Sequence, residues 1–163
     1  LYGAQENDFN YYKACALRGV GKKAEAESLF LEASVGNSQP AAAVYYNDQK
    51  PDKIFYQGLA LRELGREEEA RSRFNNLISY GEKHLYDVFK MDYFVYKRQD
   101  DMNKKNRIHC NYLMALGHLG LGNEEKAMRY FNAAAERDNN HQGVQIHRSQ
   151  INNPLVKRRG SKT

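Results

Sequence analysis

Apolar and polar residues follow one another along this chain with the 3.6-residue period of helices, and glycine interrupts the period at regular places. Between Phe55 and Leu77 two amphipathic segments meet at Gly65. Counted from that glycine, an alanine stands at +5, a phenylalanine at +9 and a small or apolar residue at +12, here Ala70, Phe74 and Leu77. The spacing recurs as Gly21/Ala26/Phe30/Ala33 and as Gly122/Ala127/Phe131/Ala134. Glycine supplies the backbone angles of a tight turn between two helices, and small residues beside it let those helices touch closely. The phenylalanine lies four residues beyond the alanine, on the same helical face, where it fills the gap to a neighbouring hairpin. The pattern therefore predicts three stacked helical hairpins, over about 9–35, 52–80 and 104–136.

These segments resemble tetratricopeptide repeats, which set a small residue in the first helix, glycine at the turn, then alanine, an aromatic and alanine in the second helix. The small first-helix position is Ala14, Gly58 and Ala115, and the next apolar or aromatic position is Leu17, Leu61 and His118. The third copy thus departs from the usual aromatic, and Asp138-Asn139-Asn140-His141 stands where the family often places a proline. The resemblance implies an all-α fold, a helical-hairpin α-solenoid of three hairpins with an irregular aromatic insertion and a C-terminal capping helix. The unit would span 1–153, with a flexible basic tail at 154–163.

Taken in order, Asp8 is placed to cap a helix from Phe9 to Gly19, with Phe9, Tyr12, Ala16 and Val20 as an apolar stripe. The second helix runs from Gly21 to Val35. Gly36 to Pro40 breaks the pattern, a short helical turn is predicted at Ala41–Tyr46, and Pro51 opens the next helix. Arg66 to Glu69, Arg71 and Arg73 form a solvated face. From 81 to 103 the repeat pattern stops in an aromatic-rich insertion that includes Tyr86, Phe89, Tyr93 and Tyr96, predicted as irregular. The last hairpin follows, with Asn123 as an N-cap, and a helix at 141–150 is predicted to cover the open end of the stack.

Charge changes the picture little. The formal net charge is +5, but Lys157, Arg158, Arg159 and Lys162 belong to the tail, and without them 21 basic residues face 20 acidic ones. No basic stripe marks the body, which argues against nucleic-acid binding. No run approaches the roughly 18 apolar residues of a membrane span. No signal segment is visible, which suits a cytoplasmic or a periplasmic protein, and the start at Leu1 suggests a piece of a longer chain. Cys15 and Cys110 fall inside first helices, where cysteine acts as a small apolar residue.

No constellation predicts catalysis, a metal or a cofactor. Glu67, Glu68 and Glu69 point around a helix, and the adjacent His109 and Cys110 diverge by about 100°. His118 reads as a packed core histidine. The residues point instead to a non-enzymatic module that binds a protein, a peptide or a neighbouring domain. The family resemblance places its inner groove on Tyr11, Cys15 and Arg18, on Phe55, Leu59 and Arg62, and on His109, Tyr112 and Leu116. Aromatic planes with arginine forks suit a peptide or an anionic group, and equally suit packing between hairpins. Asp92-Tyr93-Phe94, the stretch from Lys105 to Gly122 and Asp138 to Gly143 also resemble the C-terminal repeat region of large bacterial proteins that carry an N-terminal domain of unknown function. That resemblance implies a second reading, an accessory region completing a carbohydrate site through Tyr93, Arg107 and His109.

Overall fold

The turn glycines set the architecture. Gly21, Gly65 and Gly122 have φ of 85°, 76° and 80°, a region open to glycine and strained for other residues. In each turn the following amide reaches back to a carbonyl five residues earlier: Lys22 to Leu17 at 3.0 Å, Arg66 to Leu61 at 2.9 Å and Asn123 to His118 at 2.9 Å. One bonding pattern thus ends three helices and sends the chain back antiparallel.

The computed structural model describes residues 6–42, 50–88 and 96–151, the last from residue 101 for side chains. Among the described residues there are seven helices and no strand: α1 (Asn7–Gly19), α2 (Lys23–Ser34), α3 (Pro51–Glu63), α4 (Glu67–His84), α5 (Tyr96–Gly120), α6 (Glu124–Ala135) and α7 (Gln142–Ile151). α1 packs on α2, α3 on α4 and α5 on α6; α3 also lies against α1, α2 and α5, and α4 lies along α5. The residues at +5, +9 and +12 are buried in all three hairpins.

Phe74 shows how close this packing is. A Cβ on Gly58 of α3 would lie 2.5 Å from its ring, and one on Gly120 of α5 would lie 2.2 Å from it. The ring therefore needs a bare backbone at both places. Buried asparagines close two helix ends: Asn7 Nδ2 donates to Ala33 O and Val35 O at 2.8 Å each, and Asn106 Nδ2 donates to His84 O at 2.7 Å. The segment after α2 runs across the other hairpins as a strap. Gln57 Nε2 donates to Asn37 O, Asn76 Nδ2 to Ser38 O and His109 Nε2 to Ala41 O, at 3.2, 3.0 and 2.9 Å.

Several sequence expectations change. The stripe Phe9, Tyr12, Ala16, Val20 does not face the core: Phe9, Tyr12 and Val20 are 59%, 50% and 74% exposed, while Tyr11 and Ala14 are buried. Two stripes compete on α1, and the one in register with the other hairpins, Tyr11 and Ala14, is the one buried, while Tyr12 of the other meets only Tyr56 of α3 at the margin. α1 begins at Asn7 with no side-chain cap, and Asp8 pairs instead with Lys53. Asn123 holds the N-cap position of α6, also without a side-chain cap bond. Among the described residues of the insertion, 81–84 and 96–103 are helical, since α4 continues to His84 and α5 starts at Tyr96, eight residues before the predicted hairpin. Good helix formers such as Lys97, Arg98, Gln99 and Met102 extend α5 without an apolar period. Ala41 and Ala42 are not helical; the rest of the turn predicted at 41–46, Tyr93 and the 154–163 tail lie outside the described residues.

Candidate functional site

The inner faces of α1, α3 and α5 carry an aromatic residue ten positions before each hinge glycine: Tyr11, Phe55 and Tyr112. At the next position stand Tyr12 and Tyr56. These rings meet in the middle of the molecule, with Tyr11 to Tyr56 at 5.7 Å, Tyr12 to Tyr56 at 5.4 Å and Phe55 to Tyr56 at 5.4 Å between centroids. They do not form an open groove, because α7 lies on them.

α7 starts where His141 Nδ1 accepts the Val144 amide at 3.1 Å, and it turns Val144, His147 and Ile151 inward. The sequence placed this helix at the open end of the stack. It does pack on α6 and α5, but His147 also stands edge-on to Phe55 at 5.6 Å, and Gln150 reaches α1. The reason is a hydrogen-bond chain that runs from the surface at Gln150 and Tyr12 to a buried centre at Tyr56, His147 and Tyr112. Gln150 Nε2 donates to Tyr12 Oη at 2.9 Å, the Tyr12 and Tyr56 hydroxyls are 2.8 Å apart, and Tyr56 Oη is 3.1 Å from His147 Nε2. His147 Nδ1 is 2.7 Å from Gly143 O and 3.0 Å from Tyr112 Oη. The pattern assigns the proton to Nδ1, which donates to Gly143 O and the Tyr112 oxygen, while Nε2 accepts from Tyr56. Burial holds the His147 pKa down and raises those of Tyr56 and Tyr112, so all three stay neutral near pH 7. Gly143 makes the close approach possible, since a Cβ there would sit 2.5 Å from Tyr112 Oη.

The other groove residues are structural. Arg18 pairs with Glu63 of the second hairpin and lies 5.1 Å over the Phe30 ring. Arg62, one hairpin on, lies 5.1 Å over Phe74 and donates to Gly120 O of the third hairpin at 2.8 Å and to Glu67 at 3.0 Å. Both guanidiniums therefore clamp one hairpin to the next. The equivalent residue in the last hairpin is Leu119, and this counting shows that His109 stands outside the register of the groove triplets. Leu59 is half-buried and Leu116 fully buried, as packing residues. His109 faces Tyr80 and donates to the strap at Ala41 O, and burial lowers its pKa. His118 is buried and stacks on Tyr130 at 5.5 Å with 3° between planes, as a packed core histidine does.

Cysteine and histidine chemistry is accounted for in the same way. Cys110 is buried, its thiol pKa is pushed up to about 12 by burial, and it donates to Asn106 Oδ1 at 3.6 Å. Among the described residues no group of three or more His, Cys, Asp or Glu could hold a metal ion, although His141 and His147 both lie against Tyr112. Arg107 is exposed and lines a cleft between α4, α5 and α6. Sequence reasoning missed Tyr12, Tyr56, Gly143 and His147. The repeated tyrosine beside the groove aromatic, and one histidine on the otherwise apolar face of α7, are the signals that mark them. No helix among the described residues is long and apolar enough to cross a membrane. Comparison with protein-family models, with curated proteins and with solved structures returns no match to this chain.

Proposed function

We propose that this chain is a tetratricopeptide-like α-solenoid of three hairpins whose work is to hold a protein segment, in helical form, against the inner faces of its first helices. The observation that carries the reading is α7 itself. A ten-residue helix is marginal alone in water, yet here one packs on α6 and α5 and is tied to α3 by the buried His147 and to α1 by Gln150. Such a surface accepts a helix in cis, and a partner's helix with a similar face would compete for it. The arginines that a peptide-gripping groove would use serve as clamps between hairpins, which favours a helix over an extended acidic peptide in this groove. Of the residues in the carbohydrate-site reading, His109 is engaged by the strap, Arg107 is exposed, and Tyr93 lies outside the described residues.

The test uses the full chain with Gly143→Ala, which puts a methyl group against Tyr112 and loosens α7, and a labelled peptide of residues 138–151 added in trans. Fluorescence anisotropy is expected to show binding to the variant at least about tenfold tighter than to the wild type. Hydrogen exchange of the α7 amides verifies release, with Ile151→Asp as a second route to it. Released α7 with no uptake of the peptide would refute the reading.

A further inference from the structure

A second surface stands apart from the inner groove. A cleft of about 370 Å³ opens between the end of α4, the middle of α5 and α6, and Arg107, Arg129 and Arg137 line it together with Tyr86, Tyr130 and Asn111. No carboxylate lines it, and among the described residues none of these three arginines makes an ion pair. By contrast Arg18, Arg62, Arg66 and Arg71 each lie against a glutamate, while Arg73 donates to Gln57 Oε1. In a body whose charges nearly balance, the cleft is a local excess of three positive charges.

Two of the three guanidiniums are also held in place. Arg129 lies 5.0 Å over the Tyr130 ring and donates to its hydroxyl at 3.3 Å, and Tyr130 is fixed beneath by its stack on His118. Arg137 Nη1 donates to Ala133 O at 2.7 Å. Each of these contacts leaves most of the five guanidinium N–H donors free. Arg129 and Ala133 stand one turn apart on α6, and Arg137 stands in the turn just past its end, where its amide returns to Ala134 O at 3.1 Å. Arg107 and Asn111 repeat that interval on α5 across the cleft. The three cations thus enter the cleft from α5, from α6 and from the turn after it, an arrangement that suits several carboxylates of an extended peptide, whose side chains on one side recur every 6 to 7 Å.

We infer that this cleft is a docking site for an acidic peptide segment of a partner protein, in which two or more carboxylates engage Arg107, Arg129 and Arg137 while its backbone lies over Tyr86 and Tyr130. Charge complementarity selects the occupant, with three cations drawn from separate elements and no carboxylate among the lining residues. The footprint is too short, and the surrounding surface too evenly charged, for a nucleic-acid backbone, whose binding draws on a longer run of phosphate contacts. The site does not involve α7, so failure of the α7 exchange leaves it untouched, and its own failure leaves the inner groove untouched.

The test is fluorescence anisotropy on the full chain with three probes: a labelled peptide of alternating glutamate and glycine with four glutamates, the same peptide with glutamine, and a ten-nucleotide oligothymidylate. The glutamate peptide is expected to bind, more weakly at 150 mM than at 20 mM salt, and the glutamine peptide to bind at least about tenfold more weakly. Arg107→Gln and Arg137→Gln should each weaken the glutamate peptide about fivefold or more, and Arg71→Gln, outside the cleft, should leave it unchanged. Arg107 is exposed, so its variant serves as the reference if the Arg137 variant folds poorly by circular dichroism. Equal binding of the two peptides, indifference to the cleft variants, or tighter binding of the oligothymidylate through the same arginines would each overturn the assignment.

Discussion

Gly58→Ala separates local propensity from packing by the sign of its effect. Gly58 lies in the interior of α3, where replacing glycine by alanine favours a helix by about 1 kcal/mol. The new Cβ would lie 2.5 Å from Phe74 Cε1, 2.7 Å from Cζ and 3.1 Å from Cδ1, against an ordinary contact of about 3.5 to 4 Å. Phe74 has little room to yield. It is fully buried, Gly120 abuts it so closely that a Cβ there would be 2.2 Å away, and Arg62 covers its face. Overpacking of this kind costs about 1 to 3 kcal/mol, and the tight fit against both glycines places it at the upper end. Net destabilisation of about 1 to 2 kcal/mol is expected, read as a lower urea midpoint at unchanged slope by far-ultraviolet circular dichroism. Phe74→Leu frees the space, so the double variant should lose at least about 1 kcal/mol less than the sum of the two single losses. A Gly58→Ala protein more stable than the wild type, or strict additivity with Phe74→Leu, would refute the account of Phe74 as a ring locked against two bare backbones.

Arg62→Lys keeps the charge but loses the fork that joins Glu67, Gly120 O and the Phe74 face; about 1 kcal/mol of stability should go with it, discounted for the partial exposure of the guanidinium. Arg66→Lys, whose pair with Glu69 is exposed, should match the wild type in the same urea titration, and equal losses for both would mean that Arg62 is no clamp. Acid should weaken the fold early. Burial lowers the folded-state pKa of His147 and His109, so the unfolded chain binds more protons below its own histidine value of about 6.5. Stability is then full above that pH and falls as pH drops through it, by at most about 1.4 kcal/mol per pH unit for each histidine. His118, also lowered by burial, adds in the same direction. Urea midpoints from pH 7.5 to 5 check this, and His147→Gln should flatten the profile; a midpoint constant across that range contradicts it.

How much of this was legible depended on whether a signal was repeated. The hinge glycines, the alanines and phenylalanines that follow them, and the all-α fold were readable because three copies of one spacing reinforce each other. The face of α1 was misread from Phe9, Tyr12, Ala16 and Val20 because an isolated helix offers more than one apolar stripe, and only the neighbours α2 and α3 decide between them. The residues 96–103 carry no apolar period, so nothing in them announces that α5 already runs there. The existence of α7 and its packing on the last hairpin were readable, but its ties to α1 and α3 were not. Those ties depend on bonds among Tyr12, Tyr56, Tyr112 and His147, which lie up to 135 positions apart in the chain. The cleft was visible only as Arg107, since its partners come from α6 and the turn after it and no local pattern joins them.

The strap of residues 35–42 has a bearing on how the molecule comes apart. Hairpins that touch only their neighbours can unzip from an end, one unit after another, each step carrying a small part of the total barrier. Here the segment leaving the first hairpin is fastened to the second at Gln57 and Asn76 and to the third at His109, while Gln150 of α7 ties back to Tyr12 in the first. A tug that peels α1 and α2 away must therefore strain α5 and α7 before either end is free. The array behaves less like a row of separable tiles than like a laced bundle, in which fraying at one margin is resisted at the other.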